Sequence, residues 1–391
     1  MKKDAHYYAI LAFCRACGFN KESASVVAYA SQYVDDAKIN LMYIKNPNEN
    51  IEYDLVQNIP AFFNMATCHS YFKINTFNYE SMVNNTCAFH FVPGNDGENF
   101  TKKLRCKEES PIILNILNEA LLEDDLIKLG LVLHPYADSF SHQGFSGLLS
   151  KVNDIKNCEP KSELYLGITD KLLSTIKLYS RNKYDLVFDN FIPAYGHSLA
   201  LDFPDIPYLV WSYEYDCSDE FIYTFKPTII DNRERYKRAF KNIRKYLKAY
   251  LGRYKKYAEP NFNFDNFDSL FEALLLENGD KMREINWITL LIEQGFYDFE
   301  DLEDIIYEDN KWLKEAFKNY NINKFNNRII EEVQLADDFS DSYWYQFYRA
   351  VKWYKEKFFY YCRKNGLYIP NQNDPVCKRQ IIPTLTRWGL S

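Results

Sequence analysis

The run His134-Pro-Tyr-Ala-Asp138-Ser-Phe-Ser-His142 sets residues of metal-ligand type at i, i+4 and i+8. On an α-helix each such step advances about 40° around the axis, so two imidazoles and a carboxylate leave along one stripe. Side chains arranged this way can grip a divalent cation, as His-x-x-x-His pairs do in zinc helices. One stripe cannot close a coordination shell. A fold that uses it must therefore bring further ligands to this helix from distant sequence. The bland alternative is a partly buried polar stripe satisfied by hydrogen bonds. The chain has only six histidines, and two of them fall in these nine residues, which favours the metal.

The rest of the sequence reads as helical. Gly and Pro number 13 and 14 in 391 residues while aromatics reach 17%, a balance that suits long helices better than turn-rich sheets and argues against disorder. Apolar periodicity runs from Tyr8 to a stop at Gly18 and again from Ser23 to Asp36. Ser110-Pro111 reads as an N-cap followed by Pro in the first turn. A helix beginning near Asp124 carries the histidine stripe, another follows Pro160, and a Pro- and Tyr-rich loop spans Pro193 to Trp211. From Asn232 the chain reads as almost entirely helical, ending in an aromatic helix from Tyr343 to Cys362 that Asn365-Gly366 terminates. Residues 45–110 are irregular, with one short extended piece around Ala88, His90 and Val92. The expected class is all-α: a multi-helix metal-binding domain over 1–225 and a further helical region over 226–391 packed on it.

No stretch approaches 18 uninterrupted apolar residues, so no transmembrane span is expected. Met-Lys-Lys-Asp-Ala-His is not followed by an apolar segment of signal-peptide length or by a small-residue cleavage site, and a cytoplasmic location is expected. Nine cysteines, an odd number without framework spacing, fit free thiols; Cys14 and Cys17 form one CxxC late in a helix and read as buried thiols.

Two further features bear on chemistry. Asp35 and Asp36 stand together at a helix C-terminus, unfavourable against the helix dipole unless a cation lies nearby, although a solvated acidic end is the plain alternative. Arg233 through Lys256 carries eleven Lys or Arg against one Glu in a chain of net charge -7. Its apolar positions follow steps of three and four, which makes an amphipathic helix with basic flanks. A solvated face is the usual explanation; a ridge that draws in an anionic substrate, with Lys241 and Lys245 as contacts, is the functional one. A lone His beside aromatics, such as His69 or His90, is as often a satisfied core residue as a ligand.

Several segments together carry a resemblance: Asp4-x-His6-Tyr-Tyr, Ala30-Ser-Gln-Tyr-Val-Asp-Asp36, Phe89-His-Phe-Val-Pro-Gly94, His134 through Gly147, and Gly196-His197 through Pro204-Asp-Ile-Pro207. Over most of its length the chain looks like a family of uncharacterised bacterial proteins. Its His-x-x-x-Asp core also resembles the helical zinc-dependent phospholipase C and single-strand nuclease superfamily. That second resemblance implies a cluster of up to three zinc ions and phosphodiester hydrolysis by metal-activated water. It implies His134, Asp138 and His142 as central ligands, with Asp138 bridging two ions. His90 completes one ion and His197 another, with Asp202 or Asp205 as the later carboxylate. His6 binds near the N-terminus, and Asp35 or Asp36 is a ligand or orients the attacking water. Secreted members use a processed N-terminal Trp as ligand; here Asp4 is the evident substitute. The step from His197 to the carboxylate is five residues rather than four, and Pro204 and Pro207 argue for a loop there.

Mixed His and carboxylate ligands suit zinc first and manganese or iron second, in one to three ions. The expected function is a metal-dependent hydrolase of phosphoester or phosphodiester bonds in a nucleotide, nucleic acid or phospholipid head group. The alternatives are a nucleotide or nucleic-acid sensor with a structural metal, or a metal-stabilised interaction scaffold.

Overall fold

The structure, a computed structural model, describes residues 1–47, 50–68, 78–161, 194–215 and 228–371. The helix expected past Pro160 and residue His69 lie outside them.

Two helices set the frame. Helix α1 (Ile10–Cys17) ends at Gly18, whose φ of 101° gives the left-handed turn that glycine takes without strain. Helix α2 (Lys21–Asp36) starts on Asn20, whose side chain accepts from Ser23 N–H at 2.8 Å, and ends at the Asp35-Asp36 pair. A strand β1 (Leu41–Ile44) follows, then a hairpin of β2 (Asp54–Val56) and β3 (Ile59–Phe63). Its two-residue turn, Gln57-Asn58, holds positive φ at both positions, which matches the twist of the strands it joins.

Helix α3 (Pro111–Ala120) is capped by Ser110 with Pro111 in its first turn. Helix α4 (Leu126–Ser141) is capped by Asp125, which accepts from Ile127 and Lys128 N–H at 3.0 Å each. Strands β4 (Ile155–Pro160), β5 (Val210–Tyr215) and β6 (Thr228–Asp231) then lead into α5 (Asn232–Arg253). The remainder includes α6 (Phe267–Leu274), α7 (Asp280–Glu293), α8 (Lys311–Ala316), strand β7 (Ile329–Val333) and the aromatic helix α9 (Tyr343–Lys364).

The protein is thus mixed α/β, and the all-α expectation is corrected. One sheet orders its strands β2-β3-β1-β7 and the other β4-β5-β6. The first pairs β1 with β3 antiparallel, Leu41 opposite Phe63, and β1 with β7 parallel, Leu41 opposite Ile329. The second is antiparallel, with Trp211 opposite both Pro160 and Ile230. These strands are three to six residues long, too short for a period-2 pattern to stand out. β7 interrupts the helical run expected after Asn232.

One large hydrophobic core draws on both sides of residue 225, from Tyr8 and Val27 through Leu131 to Tyr236, Trp287 and Tyr354. A smaller one, with Phe91, Phe145, Phe203 and Trp211, lies under the three-stranded sheet. α2 and α4 approach closely at Gly130: a Cβ there would sit 2.2 Å from Val27 O and 2.8 Å from Ala30 Cβ. That contact sets the last turn of α2 beside His134. No helix among the described residues is long and apolar enough to cross a membrane.

Candidate metal centre

The two cores meet around the C-terminal half of α4. His134 and Asp138 leave the helix together, 0% and 1% exposed, and His142 is its C-cap. Two π-helical segments flank them: Asp4–Ala9, which carries His6, and Met82–Cys87, which leads to His90. Such wide turns are rare and often mark functional positions. His197 precedes a short 3-10 turn, and Asp205 ends the next one.

Three donor groups result: His6, His134 and Asp138; Asp35, His90 and His134; His142, His197 and Asp205. Within each, one ligand atom per residue lies within 4.8 Å of the others. His134 Nε2 belongs to two groups, and one nitrogen serves one ion, so the groups are not independent.

The hydrogen bonds behind the rings fix which nitrogen faces inward. His134 Nδ1 donates to Ser31 O at 2.8 Å, His142 Nδ1 to His90 O at 2.7 Å, and His197 Nδ1 to Leu201 O at 2.7 Å. His90 donates through Nε2 to Thr67 O at 3.0 Å. A carbonyl can only accept, so each of these nitrogens carries the proton and the opposite one presents a lone pair in the neutral ring. Metal-binding histidines are typically held from behind in this manner.

The lone pairs converge on carboxylates. His90 Nδ1 lies 3.2 Å and His134 Nε2 3.3 Å from Asp138 Oδ2, and the two nitrogens are 3.2 Å apart. Asp35 Oδ1 closes this group at 3.6 Å from His134 Nε2 and 3.8 Å from His90 Nδ1. Across Asp138, Oδ1 is 3.0 Å from His6 Nε2. Asp205 is 2.9 Å from His142 Nε2 and 3.4 Å from His197 Nε2. Acceptors so close together repel unless a cation or a proton stands between them.

Protonation of His6, His90, His134 and His197 does not relieve this. Burial holds His6, His90, His134 and His197 below the ordinary imidazole range, His197 at about 4. His142 is the exception: burial opposes its charge, but Asp138 and Asp205 outweigh it and raise its pKa. Burial would likewise raise Asp138, yet the Met1 ammonium and His142 hold it well below the usual carboxylate range. That ammonium sits 2.5 Å from Asp138 Oδ1 and 3.0 Å from Asp205 Oδ1. Burial lowers its pKa, and the two carboxylates more than offset this, pushing it up to about 11. Nδ1 of His6 is buried and, among the described residues, has no hydrogen-bond partner.

The carboxylates named from the sequence have different surroundings. Asp35 belongs to a donor group and is 28% exposed; burial among its neighbours and the charge of Asp138, against the pull of His90, push it up to about 7. Asp36 points elsewhere, accepting from Tyr307 Oη at 2.7 Å and Gln32 Nε2 at 3.2 Å. Asp4 lies outside the donor groups in a buried ion pair with Arg283. Asp202 pairs with Lys2 at 2.8 Å on the surface, and Asp205 is the carboxylate that reaches His142 and His197. Lys241 and Lys245 are exposed on α5, and Arg235 on the same helix donates to Ser141 O at 3.0 Å, one residue from His142.

Sequence reasoning missed Arg283, the Met1 amino group and the carbonyls of Ser31, Thr67 and Leu201. The carbonyls have no side-chain signature, and Arg283 lies nearly three hundred residues from Asp4. No curated protein and no solved structure matches the chain. Its residues 1–362 match the family of unknown function DUF6765, and the chain belongs to that family.

Proposed function

We propose that this chain is a metal-dependent hydrolase of phosphoester or phosphodiester bonds, with zinc as the first choice of ion and manganese or iron as the second. The observation that carries the reading is the convergence of His90 Nδ1, His134 Nε2, Asp35 and Asp138 Oδ2, each imidazole held from behind by a backbone carbonyl. Asp138 Oδ1 faces His6 and carries the Met1 ammonium, which also reaches Asp205, so a second ion among His6, His142, His197 and Asp205 would take that ammonium's place or bind the deprotonated amine, with Asp138 between the two ions. When bound, divalent ions at such a centre supply Lewis acidity toward a phosphoryl oxygen and lower the pKa of a water.

The chain's own residues do the rest. Asp35 and Asp205, at 28% and 16% exposure, are the members of the cluster that reach solvent and mark where substrate enters. Asp36, tied to Tyr307 and Gln32, keeps the end of α2 in place behind Asp35. Helix α5 touches the centre at Arg235 and carries its basic face away from it, a surface suited to an anionic nucleotide, nucleic acid or phospholipid head group. The resemblance to the zinc-dependent phospholipase C and single-strand nuclease superfamily supports the phosphodiester class.

A second reading, a structural metal in a nucleotide-binding or scaffold protein, is favoured by the near-complete burial of the imidazoles. The test is turnover of bis(p-nitrophenyl) phosphate, a dinucleotide and phosphatidylcholine by zinc-reconstituted protein, with and without EDTA. Hydrolysis that EDTA removes and zinc restores supports the first reading. Bound zinc without turnover of any of the three supports the second.

A further inference from the structure

Lys355, on the aromatic helix α9, is 5% exposed, and among the described residues no carboxylate pairs with it. Its amine donates to neutral oxygens: Asn64 O at 2.7 Å, Ala66 O at 3.0 Å and Asn64 Oδ1 at 3.2 Å, with Asn85 Oδ1 at 3.5 Å. A lysine buried without an acid is costly, and an apolar side chain of similar volume would fill the same space at less expense. What Lys355 does is gather a piece of backbone.

That backbone leads to the metal centre. Asn64 has a positive φ of 55°, and the turn it begins ends at Thr67. Thr67 makes three bonds in three directions: its N–H donates to Ala37 O at 2.9 Å, its hydroxyl to Val34 O at 2.6 Å, and its carbonyl accepts from His90 Nε2 at 3.0 Å. The first two seize the end of α2 on either side of Asp35 and the third orients His90. Asn85, another acceptor near Lys355, lies on the π-helical turn that delivers His90, and the neighbouring Tyr354 donates to Ala88 O at 2.7 Å. Both routes to His90 therefore meet at two consecutive residues of α9.

We infer that Lys355 is a positioning residue for the Asp35, His90 and His134 donor group, fixing through the Asn64–Thr67 turn where His90 stands relative to Asp35. Among the described residues it makes no hydrogen bond to His142, His197 or Asp205 and reaches them only through the His90 carbonyl that accepts from His142 Nδ1, so its removal acts most strongly at His90 and least at His197. This rests on the metal reading, and the experiment separates the two.

In metal-free protein, imidazole 15N spectra report each ring's tautomer and hydrogen bond without any ion. Lys355→Met should shift the His90 signals most, those of His142 less through its bond to the His90 carbonyl, and leave those of His197 in place. In zinc titrations of the same proteins, Lys355→Met should weaken one class of sites by roughly ten- to hundred-fold, the range for loss of an outer support, and leave the other unchanged. If Lys355→Met does not fold, Lys355→Ala with added n-propylammonium takes its place, and the amine should restore both the His90 signals and the zinc affinity. Unchanged His90 signals in a folded variant, equal changes at all histidines, or no effect of the amine overturn the inference. A His90 shift in a protein that binds no zinc upholds the positioning role and overturns the metal reading alone.

Discussion

Arg283 and Asp4, 279 residues apart in the sequence, form a buried ion pair: Arg283 Nε donates to Asp4 Oδ2 at 2.9 Å, and Nη2 donates to the same oxygen. The guanidinium also donates to the carbonyls of Leu274 and Leu276, so α7 and the loop before it clamp the π-helical turn that carries His6.

Breaking this pair from one side leaves an unpaired buried charge. Arg283→Ala or Asp4→Ala should each cost roughly 3–5 kcal/mol in urea unfolding. The double variant should cost clearly less than their sum, because neither charge is then stranded. Strict additivity would mean that the two residues do not act as a pair. Asp4→Asn should leave tightly bound zinc in place, since Asp4 lies outside the donor groups.

Asp35 makes the metal-free protein sensitive to pH. Its carboxyl stands at about 7 in the folded protein against 3.8 ordinarily. Between those values the unfolded chain has released a proton that the folded chain still holds. The group's contribution to stability therefore falls as pH rises from about 4 to about 7 and is flat above. With EDTA present, the stability of Asp35→Asn relative to the unsubstituted protein should grow over that window and then level off. A difference that is constant with pH, or that shrinks as pH rises, would contradict the placement of Asp35 among Asp138, His90 and His134.

The basic face of α5 acts on an anionic substrate at a distance. Charge reversal at Lys241 and Lys245 should raise KM, flatten its dependence on salt and leave kcat nearly unchanged, because steering does not touch the transition state. Steady-state kinetics at several ionic strengths, on whichever phosphodiester is turned over, decides this. A loss confined to kcat would place these lysines in the reaction itself.

How much of this was legible beforehand depends on range. The i, i+4, i+8 stripe, the cap at Ser110 and the stop at Gly18 are local, and one segment carries all the information each needs. Strand β1 pairs in parallel with β7 across most of the chain, and nothing in Leu41–Ile44 alone distinguishes it from a turn of buried helix. The same limit applies at the centre. Asp35 and Asp36 both read as candidates in sequence, but they leave α2 about 100° apart, and Tyr307 and Gln32 hold Asp36 away from the cluster. Asp202 and Asp205 are likewise told apart by the turn at Phe203–Asp205, which points one to the surface and the other at His142 and His197. The extended piece expected around His90 is instead the end of a helix, since Ala88 and Phe89 are drawn into the large core.

Metal analysis of Asp138→Asn beside the unsubstituted protein bears most directly on the centre. Both are stripped with chelator, reconstituted with zinc and freed of excess ion before their content is measured. Asp138 carries its charge between the two donor sets, and a neutral amide of the same shape cannot replace it. The unsubstituted protein should retain at least one zinc ion per chain and gain stability from it, roughly 2.7 kcal/mol at a free zinc concentration a hundred-fold above Kd. Asp138→Asn should lose most of both the ion and that gain while remaining folded. An Asp138→Asn protein that keeps its full complement of zinc, or an unsubstituted protein that retains none, would contradict a metal centre at His134, Asp138 and His142.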